Sequence, residues 1–130
     1  METGPPTTYR GRAAWPLPDQ HLDEHVNCDI VHGRGLVVIS SCGHVGLINT
    51  IKGSNGGVRV GKLHAVLGGF HLGPAPQDYF DQTVTELERL DPDVVIPMHC
   101  SGTKFLGAMH RQMPDHLVAA NIGSRFTFGV

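Results

Sequence analysis

Three short apolar runs, Leu36-Val-Val-Ile39, Leu63-His-Ala-Val-Leu67 and Val94-Val-Ile96, are each followed by a stretch with helical spacing, and this alternation constrains the fold more than any other feature of the chain. Brief runs rich in β-branched and aliphatic residues, bounded by glycine or proline, read as strands buried on both faces, the kind found in parallel sheets. After the first run, Val45, Ile48 and Ile51 recur at threes, which predicts a helix starting at or beside His44 and broken by Gly53-Ser-Asn-Gly-Gly57. After the second, Phe80, Val84 and Leu87 mark one helical face with Glu86, Glu88 and Arg89 largely opposite. That helix starts between Pro74 and Asp78 and stops at Asp91-Pro92. After the third, Ser101-Gly102 leads into a helix carrying Phe105, Leu106 and Met109. Upstream, Val26 to His32 reads as a strand joined to Leu36–Ile39 through Gly33-Arg34-Gly35, a hairpin. Ser124 to Val130 supplies a possible closing strand. The expected class is α/β, with layers built on an at least partly parallel sheet.

The composition fits a loop-rich folded chain. Seventeen glycines and nine prolines punctuate 130 residues, while 40% hydrophobic and 17% charged residues exclude the signature of a disordered protein. Residues 1–21, with Pro5, Pro6, Pro16 and Pro18 and no periodicity, are expected to form a loosely ordered N-terminal arm, and residues 22–130 the folded domain. A net charge of −2 without any Lys/Arg run argues against nucleic acid and anionic membranes as partners. A small-molecule substrate is the expected partner class. Met1 to Pro18 lack the basic and apolar regions of a signal peptide, and no apolar stretch is long enough to span a bilayer. Cys28, Cys42 and Cys100 form no C-x-x-C pair and are too few for a disulfide scaffold, which fits a reducing, cytoplasmic location.

Nine histidines remain to be explained. His44, His71 and His99 each fall just beyond the C-terminal end of a predicted buried strand. In α/β sheets ligands bind outside the carboxyl ends of the strands, so three imidazoles placed there can converge on a metal. Imidazole suits zinc, and also iron or manganese, and a catalytic site needs three or more protein ligands with one position left for water. His21, His25, His32, His64, His110 and His116 lack such placement and are assigned to surface or core roles. His21-x-x-x-His25 has no Glu after its first histidine, so the zinc-protease motif fails. Cys42 and Cys100 stand beside His44 and His99, which raises a thiolate nucleophile activated by imidazole as a rival to plain buried thiols. At Ser101-Gly102-Thr103-Lys104 a helix start with free N–H groups and a lysine can hold an anionic substrate group, an ordinary N-cap being the simpler use.

The segments Gly35-Leu-Val-Val-Ile-Ser-Ser-Cys-Gly-His-Val-Gly-Leu-Ile-Asn-Thr-Ile51, His64-Ala-Val-Leu-Gly-Gly-Phe-His-Leu72 and Ile96-Pro-Met-His-Cys-Ser-Gly102 resemble the metallo-β-lactamase-fold superfamily, in the branch similar to dihydropterin ribofuranosyl-aminobenzene phosphate synthase. The resemblance covers about residues 22–130. It implies an αββα sandwich of two similar halves, of which this chain looks like the C-terminal one. It also implies that His44 is the ligand after the mid-chain strand, that His71 stands where relatives have a bridging acidic or other ligand, and that His99 is the final histidine ligand. The His-x-His-x-Asp-His motif that the family's first half supplies has no match in this sequence.

Two functions of different class follow. One is a metal-dependent hydrolase, or its C-terminal half, acting on an ester or phosphoester through metal-activated water, with His44, His71 and His99 as ligands and Ser101, Gly102, Thr103 and Lys104 near the substrate. The other is a non-catalytic truncated member or interaction module that keeps the fold and can still bind a metal. A half sandwich leaves a sheet face uncovered, so association with another copy or with an N-terminal half is expected.

Overall fold

The computed structural model describes residues 26–44, 46–58 and 61–129. The proposed N-terminal arm, His21, His25, Val45 and Val130 lie outside these residues. Four strands, β1 (Val26–Val31), β2 (Gly35–Ser40), β3 (Leu63–Gly68) and β4 (Val94–Pro97), form one sheet in the order β1-β2-β3-β4. β1 and β2 are an antiparallel hairpin, and β2, β3 and β4 run parallel. The parallel pairs are connected by α1 (Leu47–Val58) and α2 (Gln77–Leu90), and α3 (Thr103–Gln112) follows β4. The strand–helix alternation and the parallel sheet are therefore as the apolar runs predict. No helix among the described residues is long and apolar enough to cross a membrane.

Period-two alternation divides the strands between two cores. Leu36, Val38, Val66 and Val95 face the helices, where they pack with Leu47, Ile48 and Ile51 of α1, Phe80, Val84 and Leu87 of α2, and Phe105 and Met109 of α3. Val37, Ala65, Leu67 and Ile96 face the other way and are covered by Phe126, Phe128 and Ala120 of the C-terminal segment. Between Leu36 and Val37 the register shifts so that Leu36 pairs with Leu63 and Val37 with Ala65, leaving His64 as the extra residue of a bulge. α2 ends on Asp91 in the left-handed region (φ 47°), whose N–H donates to Leu87 O, and Pro92 then forbids continuation.

Three expectations need correction. α1 begins at Leu47 and not at His44, because the preceding loop closes in a turn in which Gly46 N–H donates to Gly43 O. It also runs through Gly53–Gly57 instead of breaking there. Each interior glycine costs roughly 1 kcal/mol relative to alanine, but the buried Leu47, Ile48 and Ile51 anchor the first turns against the sheet. Thr50 and Ser54 hydroxyls further bond to carbonyls one turn back. Finally, residues 124–129 form no strand. The free edge of β4 is taken instead by residues 116–118: Val95 N–H donates to His116 O and Val118 N–H to Val95 O, so the C-terminal segment lies across the sheet face.

Candidate metal centre

The site is assembled by three loops that leave the same end of the parallel strands: Ser41 to His44 after β2, Gly69 to His71 after β3, and Met98 to Ser101 after β4. Backbone bonds hold the loops together. Gly69 N–H donates to Ser40 O (3.3 Å), Met98 N–H to Gly68 O (2.8 Å) and Gly73 N–H to Cys100 O (3.1 Å). A side chain at Gly68 would overlap Ser40 O, and its φ of 122° is one that only glycine adopts readily, so close approach of β2 and β3 at the loop bases requires this residue. Phe70 plugs the middle loop into the helix-side core, fully buried and edge-on to Phe105.

His71 is therefore fixed between a buried phenylalanine and the buried Leu72, with its own backbone in the left-handed region at φ 47°. A non-glycine residue pays about 1–2 kcal/mol for that conformation, and such strain gathers at functional sites. The His44 ring meets the His71 ring edge-on, with centroids 4.5 Å apart. The third histidine, His99, opens a short 3-10 turn (His99–Ser101), and its ring lies over Gly69: a Cβ there would stand 2.5 Å from Cε1 and 2.7 Å from Nε2. Glycine at 69 is what leaves room for that imidazole.

The structure also brings together two residues that the sequence offered as a nucleophile or as buried thiols, not as ligands. Cys42 Sγ lies 3.0 Å from Cys100 Sγ and 3.6 Å from His71 Nδ1, and His71 N–H donates to Cys100 Sγ (3.2 Å). Cys42, His71 and Cys100 offer one ligand atom each, all within 4.8 Å of one another. One cysteine–histidine pairing thus crosses loops, with Cys42 meeting His71. The available signal was position, since Cys42 and Cys100 occupy the same strand-end loops as His44 and His99. No disulfide joins any of the three cysteines.

The donors at the strand ends fit a borderline-soft divalent ion, since imidazole and thiol are the ligands zinc favours, and Gly69 makes space for the His99 ring. The segment proposed to bind substrate sits beside them. Ser101 is buried with its hydroxyl unpartnered, Gly102 caps α3 without a side-chain bond, and Thr103 and Lys104 are exposed in its first turn. The other described histidines do structural work or face solvent. His64 Nδ1 donates to Asp93 (2.7 Å) and His116 Nδ1 to Pro92 O (2.6 Å), while His32 and His110 are exposed. Hydrogen bonds from His64, then from Lys62, hold the Asp93 carboxyl below its ordinary pKa of 3.8. This trio lies at the opposite end of β3 and β4 from the loops of the candidate centre.

No protein-family model matches the chain. Over 84 residues it is 31% identical to the 7,8-dihydropterin-6-methyl-4-(beta-D-ribofuranosyl)-aminobenzene-5'-phosphate synthase of Methanocaldococcus jannaschii, a match covering 65% of this chain and 29% of that protein. An uncharacterised protein of the same organism is 31% identical over 87 residues, covering 67% of this chain and 32% of its own length. The chain thus spans about a third of the curated relatives it matches. Among solved structures, a metal-dependent hydrolase of the beta-lactamase superfamily superposes with a TM-score of 0.69 at 26% identity, over 75% of this chain and 38% of that one. In fold and in sequence, the chain is thus similar to metallo-β-lactamase-superfamily hydrolases over about a third of their length.

Proposed function

We propose that the chain supplies the C-terminal, ligand-bearing part of a metal-dependent hydrolase, with His44, His71 and His99 holding a divalent ion, zinc by preference. The observation that carries this reading is the meeting of three strand-end loops that set the His44 ring on the His71 ring and the His99 ring over Gly69. With Nδ1 turned toward Cys42, Nε2 of His71 is the nitrogen that would take the metal. When bound, the ion supplies a Lewis acid and a water made acidic enough to serve as nucleophile near neutral pH.

The chain's own residues do the rest. Phe70 in the core and the backbone bonds between the loops keep the imidazoles in place without help from solvent. The first-turn N–H groups of α3 and the Lys104 ammonium attract the anionic group of an ester or phosphoester. Ser101 lies buried at the base of that turn. The sheet face bearing Val37, Leu67 and Ile96, covered so far by two phenylalanines, docks a second copy or the N-terminal part that such a sandwich needs.

Metal analysis and equilibrium dialysis with zinc test the site. Wild type is expected to take up zinc, and His44→Ala and His99→Ala to weaken it by about tenfold or more each, as loss of a direct ligand should. A wild-type chain that takes up no zinc at micromolar free ion would sink the reading.

A further inference from the structure

We propose that Cys42 and Cys100 are a redox-active thiol pair, which a peroxide converts into a disulfide that ties the β2 loop to the β4 loop beside His71. Their sulfurs are 3.0 Å apart although 58 residues separate them in the chain. Forming an S–S bond of about 2.05 Å therefore asks for about 1 Å of approach, within the reach of side-chain rotation. The Cys100 thiol already lies against the β2 loop, 3.6 Å from Cys42 O. Both residues are half-buried, whereas Cys28 stands exposed on the edge strand β1.

The chemistry balances with a peroxide as sole co-reactant. One thiol is oxidised by hydrogen peroxide to a sulfenic acid with release of water, and the second thiol displaces the hydroxyl as another water while the S–S bond forms. Two sulfurs lose one electron each, and the peroxide is reduced to two waters. The bond removes both thiols from the group they make with His71 and pins the loops that carry His44 and His99. That last consequence, an oxidised chain with weakened zinc uptake, rests on the proposed metal centre; the bond itself does not.

Trypsin separates the three cysteines, placing Cys28 in residues 13–34, Cys42 in 35–52 and Cys100 in 90–104. The folded chain, treated with hydrogen peroxide and mapped without reduction, is expected to give the 35–52/90–104 linked peptide as its main product. Intact mass should fall by two hydrogens with no covalent dimer. In urea, proximity is lost, and the Cys28–Cys42 linkage, which closes the shortest loop, should gain at the expense of Cys42–Cys100. Oxygen addition at Cys42 or Cys100 without linkage, or equal linkage to Cys28 in the folded chain, overturns the pair. Zinc uptake by the oxidised chain is expected to drop about tenfold. Unchanged uptake after cross-linking overturns the closing role, whereas a chain that binds no zinc in either state counts against the metal centre and leaves the linkage standing.

Discussion

At the scale of single residues, position 69 decides where the ring of His99, the third proposed ligand, can lie. A methyl group on Gly69 would press on the His99 ring at 2.5 Å and on Ser41 O at 2.8 Å. The ring is exposed and gives way more easily than the backbone, so Gly69→Ala is expected to displace His99 and lower zinc affinity about tenfold while the chain still unfolds cooperatively. Dialysis beside thermal melting separates the two effects; unaltered affinity would remove His99 from the ligand set. Asp93 presents the opposite case, a charge that serves stability alone. The carboxyl pKa is lowered in the folded state by His64 and Lys62, so its contribution is present above the ordinary value of 3.8 and is lost as pH falls through the lower folded value. With 42% of the side chain exposed, solvent screening limits this to about 1 kcal/mol or less. Urea midpoints should place Asp93→Asn below wild type at pH 7, with the gap narrowing as pH falls below the ordinary carboxylate range. A gap that does not change with pH would assign the loss to packing rather than to charge.

Elements show why part of the molecule was legible and part was not. The faces of α2 and α3 could be read from Phe80, Val84, Leu87, Phe105 and Met109, because their helical spacing is a local signal and all five prove buried. The strand-end positions of His44, His71 and His99 were legible for the same reason: strand ends can be recognised from short apolar runs. The length of α1 was hidden, since its glycines argue locally for a break and only the packing of Leu47, Ile48 and Ile51 against the sheet overrides them. The thiol pair was hidden because it joins loops 58 residues apart. Two element-level changes test these packing arguments. Asp91→Gly, at the left-handed end of α2, should raise stability by roughly 0.5–1 kcal/mol in urea unfolding, because glycine meets no Cβ penalty there. Phe70→Leu should cost roughly 1–2 kcal/mol and also loosen the loop that carries His71, so that zinc affinity falls with stability. A Phe70→Leu chain with normal zinc affinity would show that the loop is held by its backbone bonds alone.

For the whole molecule, the two faces of the sheet are unequal, and the inequality bears on assembly. On one face three helices bury Phe70, Phe80 and Phe105 completely. On the other, four strand residues lie under the C-terminal segment, with an open cavity of about 370 Å³ between Ile96, Phe126 and Phe128. Alternation along β2 puts Ile39 on this thinner face beside Val37, and it remains 41% exposed; Val118 and Ile122, in the segment leading across the face, are exposed as well. An apolar surface of this kind, on a chain spanning about a third of its relatives' length, is expected to bind protein. The isolated chain should therefore sediment as a dimer or larger species. Ile39→Asp places a charge on that face without touching the helix-side core, and should shift the chain to monomer with its circular dichroism unchanged. Because the strand-end loops project from the sheet end and not from its face, zinc uptake should survive the same substitution. Wild type sedimenting as a monomer at all concentrations would show that Phe126 and Phe128 cover the face well enough alone; an Ile39→Asp dimer would move the contact to the exposed edge strand β1, where Ile30 is 51% exposed.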